Sequence, residues 1–153
     1  MKNSKALLVY QMKYIYHLEI QLEIFFTELS QNFKTDYGQR FLEFHKNRII
    51  HNKNYMDSLC RDIFLDPRGI YCKTIIGHCE DVQNLMASEI DEKTREMAAI
   101  DEVKKILEYR LASYKNLYKL AQKLKYYSIS SKLQTLIEIP PQEEVNEVSG
   151  IYH

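Results

Sequence analysis

A carboxylate interrupts an apolar row near the start of the chain. Read with steps that alternate between four and three residues, the row consists of Leu8, Met12, Ile15, Glu19, Leu22, Phe26 and Leu29. Residues with this spacing lie on one face of a helix. Every member except Glu19 is apolar, so the pattern predicts that Glu19 lies inside the protein, where a charge requires a partner.

A second row of the same kind holds a cation. It consists of Ile100, Val103, Leu107, Arg110, Tyr114, Leu117, Ala121 and Leu124. Arg110 is its one charged member. Because each row has a single ionisable group on an apolar face, the simplest prediction is that Glu19 and Arg110 form a buried ion pair, directly or within one polar cluster.

Inward-facing carboxylates and histidines can instead bind two metal ions, because oxygen ligands and imidazoles converge from facing helices in di-iron bundles. The candidate ligands are Glu19, His51, Asp81 and Glu108. Against a metal site, no helix carries a Glu-x-x-His pair, and Arg110 is a cation where anions are needed. Alternatively, Glu19 and His51 are core polar groups whose partners are Arg110, Arg48, tyrosines or water.

Composition and charge exclude several classes of protein. A chain of 153 residues suits one domain with a real core. The 21 Lys and Arg residues balance the 21 Asp and Glu residues, which argues against binding to nucleic acid or to an anionic membrane. No apolar run approaches the ~20 residues that span a bilayer. We therefore expect a cytoplasmic protein. Its three cysteines lack a CxxC element, which favours buried free thiols over a zinc site.

Long helices are expected because only 4 Gly and 3 Pro punctuate the chain. The predicted helices cover about 4–33, 37–64, 71–88 and 91–126, followed by a short fifth helix that begins at Ser130 and ends before Pro140. Long helices with short connections form an antiparallel four-helix bundle. The sequence thus predicts an all-α bundle over residues 1–139 and a polar tail over 140–153.

Several short motifs resemble those of the YciE/YciF-type ferritin-like proteins. The run YIYHLEIQL (14–22) resembles the first-helix signature, in which a tyrosine precedes Ala-Glu-x-Gln-Leu, and Glu19 falls on its metal-ligand glutamate. His51 falls on a histidine of the second-helix pattern. Further matches are Tyr71-Cys72, Ile76-Gly77 and Glu80-Asp81, and, in the fourth helix, Glu108-Tyr109 and Ala112-Ser113-Tyr114. The resemblance covers residues 6–139 and implies a ferritin-like fold, a di-iron site and a role in the bacterial stress response.

The sequence departs from the family pattern at several ligand positions. Asn47, Leu107 and Arg110 stand where the resemblance expects carboxylates. Glu138 corresponds to an acidic residue of the last helix, although Pro140-Pro141 ends that segment at once. The resemblance therefore implies the fold, while these substitutions argue against the iron.

From these observations we expect a non-catalytic or vestigial ferritin-like bundle with a structural or interaction role. It would have a degenerate di-metal site, bind no cofactor and form a homodimer, as bundles with aromatic-rich outer faces often do. The alternative is a di-iron or di-manganese enzyme that catalyses oxidation or peroxide reduction. Its ligands would be Glu19, His51, Asp81, Glu108 and Glu138.

Overall fold

The computed structural model describes residues 3–137, and all of the regular structure in this range is helical. The helices are α1 (Ser4–Asn32), α2 (Asp36–Asp62), α3 (Lys73–Met86), α4 (Glu92–Lys123) and α5 (Tyr127–Ile137). The predicted fold, an antiparallel four-helix bundle of the ferritin-like type with a short fifth helix, is confirmed. The predicted boundary between bundle and tail at 139/140 lies outside the described residues.

The three long helices α1, α2 and α4 contain 29, 27 and 32 residues. At about 1.5 Å per residue, each is roughly 40 Å long or longer. Helix α1 packs mainly on α2, and α4 packs on α3 and α5 and also contacts α1. No helix within residues 3–137 is long and apolar enough to cross a membrane.

Short polar side chains cap the N-termini of α2 and α4. The Thr35 hydroxyl accepts the N–H of Gly38 at 2.9 Å, and a carboxylate oxygen of Asp91 accepts the N–H of Thr94 at 3.0 Å. Each bond satisfies an N–H that has no partner within its own helix. Thr35 is therefore the N-cap of α2, and Asp36 is the first helical residue.

Helices α2 and α4 end in turns of the same type, and neither turn has a glycine at its left-handed position. Phe64 and Lys125 have φ values of 57° and 66°, in the left-handed region. The N–H of Phe64 donates to the carbonyl of Arg61 at 3.0 Å, and that of Leu65 donates to Cys60 at 2.8 Å. This is the Schellman pattern, in which glycine is the usual left-handed residue. The turn, rather than the proline that follows it, ends α2.

A polar layer divides the core of the bundle into two apolar clusters. The first cluster includes buried residues in the ranges 18–29 of α1, 41–49 of α2 and 99–106 of α4; the second includes 8–15, 56–60 and 114–121 of the same helices. Between the clusters, these helices contribute Glu19, Asn52 and Arg110. We call these three residues, with the hydroxyl of Tyr114, the polar layer. The polar layer therefore lies where each of the apolar rows on α1 and α4 has its one charged residue.

A second buried carboxylate, Glu96 of α4, holds the turn between α1 and α2. Glu96 is 3% exposed. Its carboxylate accepts the N–H of Lys34 and both the N–H and the hydroxyl of Thr35. A Cβ atom on Gly38 would lie 3.1 Å from this carboxylate, so a larger residue there would require the carboxylate to shift by a few tenths of an ångström. Glu96 was not identified from the sequence, although it lies four residues before Ile100 on the same face of α4.

We predict that Glu96→Ala lowers the free energy of unfolding by about 1–3 kcal/mol, because it removes the acceptor of three partly buried hydrogen bonds of the turn. Urea denaturation followed by circular dichroism measures the change. Glu80→Ala, at an exposed position of α3, is the matched control and should change stability by less than about 0.5 kcal/mol. Equal effects of the two substitutions would contradict a structural role for Glu96.

Candidate functional site

Glu19 of α1 and Arg110 of α4 meet through two hydrogen bonds. Nε of Arg110 donates to Oε1 of Glu19 at 2.6 Å, and Nη2 donates to Oε2 at 2.8 Å. Glu19 has no exposed surface, and the side chain of Arg110 is 11% exposed. A planar guanidinium matches the two oxygens of a carboxylate and stays charged when it is buried. The two charged members of the apolar rows are therefore direct partners.

Tyr114 adds a third donor to the carboxylate. Its hydroxyl donates to Oε2 of Glu19 at 3.0 Å, and its ring centroid lies 5.4 Å from the guanidinium carbon of Arg110. The ring is itself buried, so this contact adds a cation–π attraction in a region from which water is excluded. Tyr114 lies one helical turn after Arg110, which lets one face of α4 supply both donors.

Asn52 of α2 joins the network from the third helix. With its amide oxygen facing Arg110, that oxygen accepts from Nη2 at 2.9 Å and the amide nitrogen donates to the carbonyl of Arg48 at 3.3 Å. The reversed amide would contact the carbonyl of Leu136 at 3.4 Å, but it would point a donor at the guanidinium. The first orientation satisfies both amide atoms, and Asn52 thereby links α2 to the ion pair.

The surroundings fix the protonation states of the donors. Burial alone would lower the pKa of Arg110, but the charge and hydrogen bonds of Glu19 outweigh this effect and raise the pKa above its ordinary value. Burial raises the pKa of Tyr114 well above its ordinary value, and the adjacent Glu19 carboxylate raises it further. Arg110 is therefore a permanent cation, and Tyr114 a permanent phenol donor.

The other candidate metal ligands do not lie with Glu19. His51, Asp81 and Glu108 are all exposed, and Glu138 lies outside the described residues. Within residues 3–137, no group of three or more His, Cys, Asp or Glu side chains is arranged to hold a metal ion. The hydrogen-bond partners of Glu19 in this range are a guanidinium and a phenol.

The sequence prediction placed His51 on the wrong side of α2. Ile49, Asn52 and Met56 are buried, whereas His51 and Asn47 are exposed. His51 was expected to face the interior, and Asn47 to stand at a lost ligand position; both lie on the outer side of the helix. The inward position of Asn52 could have been found from Ile49 and Met56, since Asn52 lies between them at steps of three and four.

The three cysteines, Cys60, Cys72 and Cys79, are free and buried, which confirms that prediction. Burial raises the pKa of the Cys60 thiol to about 11 and that of Cys79 to about 12. These two thiols therefore carry little of the thiolate form that reacts with oxidants and metals at neutral pH.

We predict strong energetic coupling between Glu19 and Arg110. Arg110→Leu leaves the buried carboxylate without its cation, and Glu19→Leu leaves the buried guanidinium without its anion. Each substitution should therefore lower the free energy of unfolding by on the order of 3–5 kcal/mol. The double substitution should recover much of that loss, since it leaves neither charge alone. Urea denaturation of the four proteins gives the coupling energy.

The matched control is the pair formed by Glu23 and Lys53, which joins α1 to α2 one turn from the polar layer and is partly exposed. Its coupling should stay below about 1 kcal/mol because solvent screens it. If the Glu19–Arg110 cycle gave a coupling no larger than that of this control, the polar layer would not depend on the ion pair.

Comparisons with known proteins agree with this architecture. The crystal structure of the E. coli stress protein YciF has a TM-score of 0.85 at 20% sequence identity, covering 99% of this chain and 94% of that chain. YcfI, described as "a putative structural protein from Rhodopseudomonas palustris", has a TM-score of 0.85 at 17% identity, covering 97% and 93%. No curated protein sequence matches the chain. The resemblance to the YciE/YciF-type family is confirmed. The model of the family described as "Domain of unknown function (DUF892)" matches residues 3–144, and the chain belongs to that family.

Proposed function

We propose that the protein is a non-catalytic, vestigial ferritin-like bundle with a structural or interaction role, in which an internal ion pair has replaced a di-metal centre. The observation that carries this proposal is the position of Arg110, whose guanidinium engages both carboxylate oxygens of Glu19. A metal ion bound to Glu19 would need the oxygen lone pairs that these N–H groups use.

The residues around Glu19 do not fit a di-metal centre. Such a centre requires several anionic oxygens and imidazoles that converge from facing helices. In the described part of the chain, the corresponding space around Glu19 holds Arg110, Tyr114 and, beyond them, Asn52. A fixed cation already neutralises the carboxylate, and a second positive charge beside it would be repelled. We therefore propose that neither iron nor manganese is a cofactor.

The stress-related and structural part of the proposal has separate support. One protein of similar fold is named a stress protein and another is described as a structural protein. At 20% and 17% identity, these similarities show the fold alone. The stress-related or structural role of this chain is therefore a proposal. Three free cysteines also suit a reducing compartment, and we propose a cytoplasmic location.

We predict that the protein holds far less than one metal ion per chain. The test is elemental analysis of protein purified from cells supplemented with iron and manganese, after a chelator wash. Any residual metal should be the same in Glu19→Gln, because it would be bound at the surface. A content of about two metal ions per chain, lost in Glu19→Gln, would contradict the proposal and support a di-iron or di-manganese oxidase or peroxidase.

We also propose that the protein forms a homodimer through a surface that includes Phe64. The side chain of Phe64 is 99% exposed, and Ile63 and Tyr71, which also lie between α2 and α3, are 42% and 70% exposed. Phe64 occupies a left-handed position that glycine would hold at lower energy. An exposed phenylalanine at a strained position gains nothing in the isolated chain, which supports contact with a second copy.

We predict opposite effects of Phe64→Gly on stability and on association. The substitution should stabilise the fold by about 1 kcal/mol, because it relieves the left-handed conformation. It should also weaken dimerisation, measured by sedimentation equilibrium. Lys125→Gly is the matched control, since Lys125 occupies the equivalent turn of α4, and it should stabilise the fold without changing association. A Phe64→Gly protein that dimerises like the parent would refute this interface.

A further inference from the structure

A pocket lies at the C-terminal end of α2, and we call it the α2 pocket. Its volume is about 520 Å³. Its lining residues come from α1, from the last turns of α2 and from the segment that follows α2: Tyr16, Asp57, Arg61, Phe64, Leu65, Asp66, Pro67 and Arg68. Phe64 thus borders the pocket but does not fill it, since its side chain is 99% exposed.

The wall of the α2 pocket combines carbon surface with two ion pairs. Three side chains supply the carbon surface: Tyr16, Leu65 and Pro67. Nε of Arg61 donates to Asp57 at 3.0 Å, and Nε of Arg68 donates to Asp66 at 3.0 Å. Because each guanidinium has a carboxylate partner within the chain, the wall carries no uncompensated charge. A paired guanidinium still presents a flat face that stacks on aromatic rings, so the pocket suits a neutral aromatic group.

Phe64 is itself a neutral aromatic group, and it lies next to the pocket. In a dimer with two-fold symmetry, both copies use the same surface patch. A two-fold axis that passes between Phe64 and the α2 pocket would bring the ring of each copy to the pocket of the other. The rim has two cations and two anions, so two copies of it can meet without net repulsion.

We propose that two copies of the chain exchange Phe64, so that the ring of each copy enters the α2 pocket of the other and packs against its carbon surface and its rim arginines. This inference rests on the proposed homodimer and names the site that receives Phe64. The exposed ring and the open pocket then complete each other, and each dimer contains two equivalent contacts.

The test combines a variant that lacks the ring with a variant that lacks the pocket. Phe64→Gly removes the ring and keeps the pocket open. Arg61→Trp keeps Phe64 and fills the pocket with an indole, at a position of α2 where the arginine side chain is 74% exposed. Neither variant can form the contact with a copy of itself. In a mixed dimer, however, the ring of Arg61→Trp meets the open pocket of Phe64→Gly.

We expect both variants to dimerise at least about tenfold more weakly than the parent, because a central aromatic contact carries much of the affinity of an interface. The mixed dimer should be tighter than either variant homodimer. Its Kd should lie near the geometric mean of the parent and variant values, since it retains one of two equivalent contacts. Sedimentation equilibrium of the full-length proteins gives the Kd of each homodimer, and native mass spectrometry of the mixture resolves the three dimers by mass.

Two further variants control for the introduced indole. Asp57→Trp fills the pocket from the preceding turn of α2 and should be rescued by Phe64→Gly in the same way. Arg40→Trp places an indole at an exposed position of α2 that does not line the pocket, and it should dimerise like the parent. The chain contains no tryptophan, so blue-shifted emission of the indole in Arg61→Trp and Asp57→Trp verifies that it lies in the pocket.

Three results would overturn the proposal. A parent protein that stays monomeric would exclude the homodimer together with this exchange, and would leave the pocket to a different partner. A parent dimer that both pocket-filling variants leave unchanged would retain the homodimer but exclude the α2 pocket from its interface. Weaker association of all the variants without recovery in the mixtures would show that Phe64 packs on another surface of the second copy.

Discussion

The buried contact between Glu19 and Arg110 is the constraint on which the rest of the core depends. Two charges removed from water must face each other with good geometry, because the desolvation cost of each exceeds the stability of a single packed side chain. Their positions therefore fix the axial register of α1 against α4. Asn52 and Tyr114 complete the hydrogen bonds, and the apolar side chains on either side divide into two clusters. We infer that this pair favours one arrangement of the helices more than it adds to the free energy of folding, because desolvation offsets most of the attraction.

The sequence was most informative where one helix supplied a continuous apolar row. On α1 and α4 a lone charge in such a row was enough to predict that both members of the ion pair lie in the core. The pattern on α2 was misleading, because polar residues are frequent there and several phases of the helix are plausible. A shift of one residue rotates a side chain by about 100° around a helix of 3.6 residues per turn, which separates exposed His51 from buried Asn52.

Features that depend on the backbone of a turn were beyond the sequence. A left-handed residue was not expected at Phe64 because glycine signals such a turn, and no glycine is present there. The role of Glu96 depends on the approach of α4 to the turn between α1 and α2, which is a tertiary contact. The local sequence does not mark either position. Phe64 nevertheless lies in the turn that ends α2, and Glu96 holds the turn between α1 and α2.

The most direct measurement of the central claim is the NMR signal of the Arg110 Nε–H during titration with Mn²⁺. A guanidinium that holds Glu19 in place of a metal should give an Nε–H that exchanges slowly with water, unlike that of exposed Arg61. This signal should also keep its line width as Mn²⁺ is added. Selective paramagnetic broadening of the Arg110 signal at low Mn²⁺ concentration, before signals of surface residues broaden, would show that a metal ion reaches Glu19 and would contradict the account.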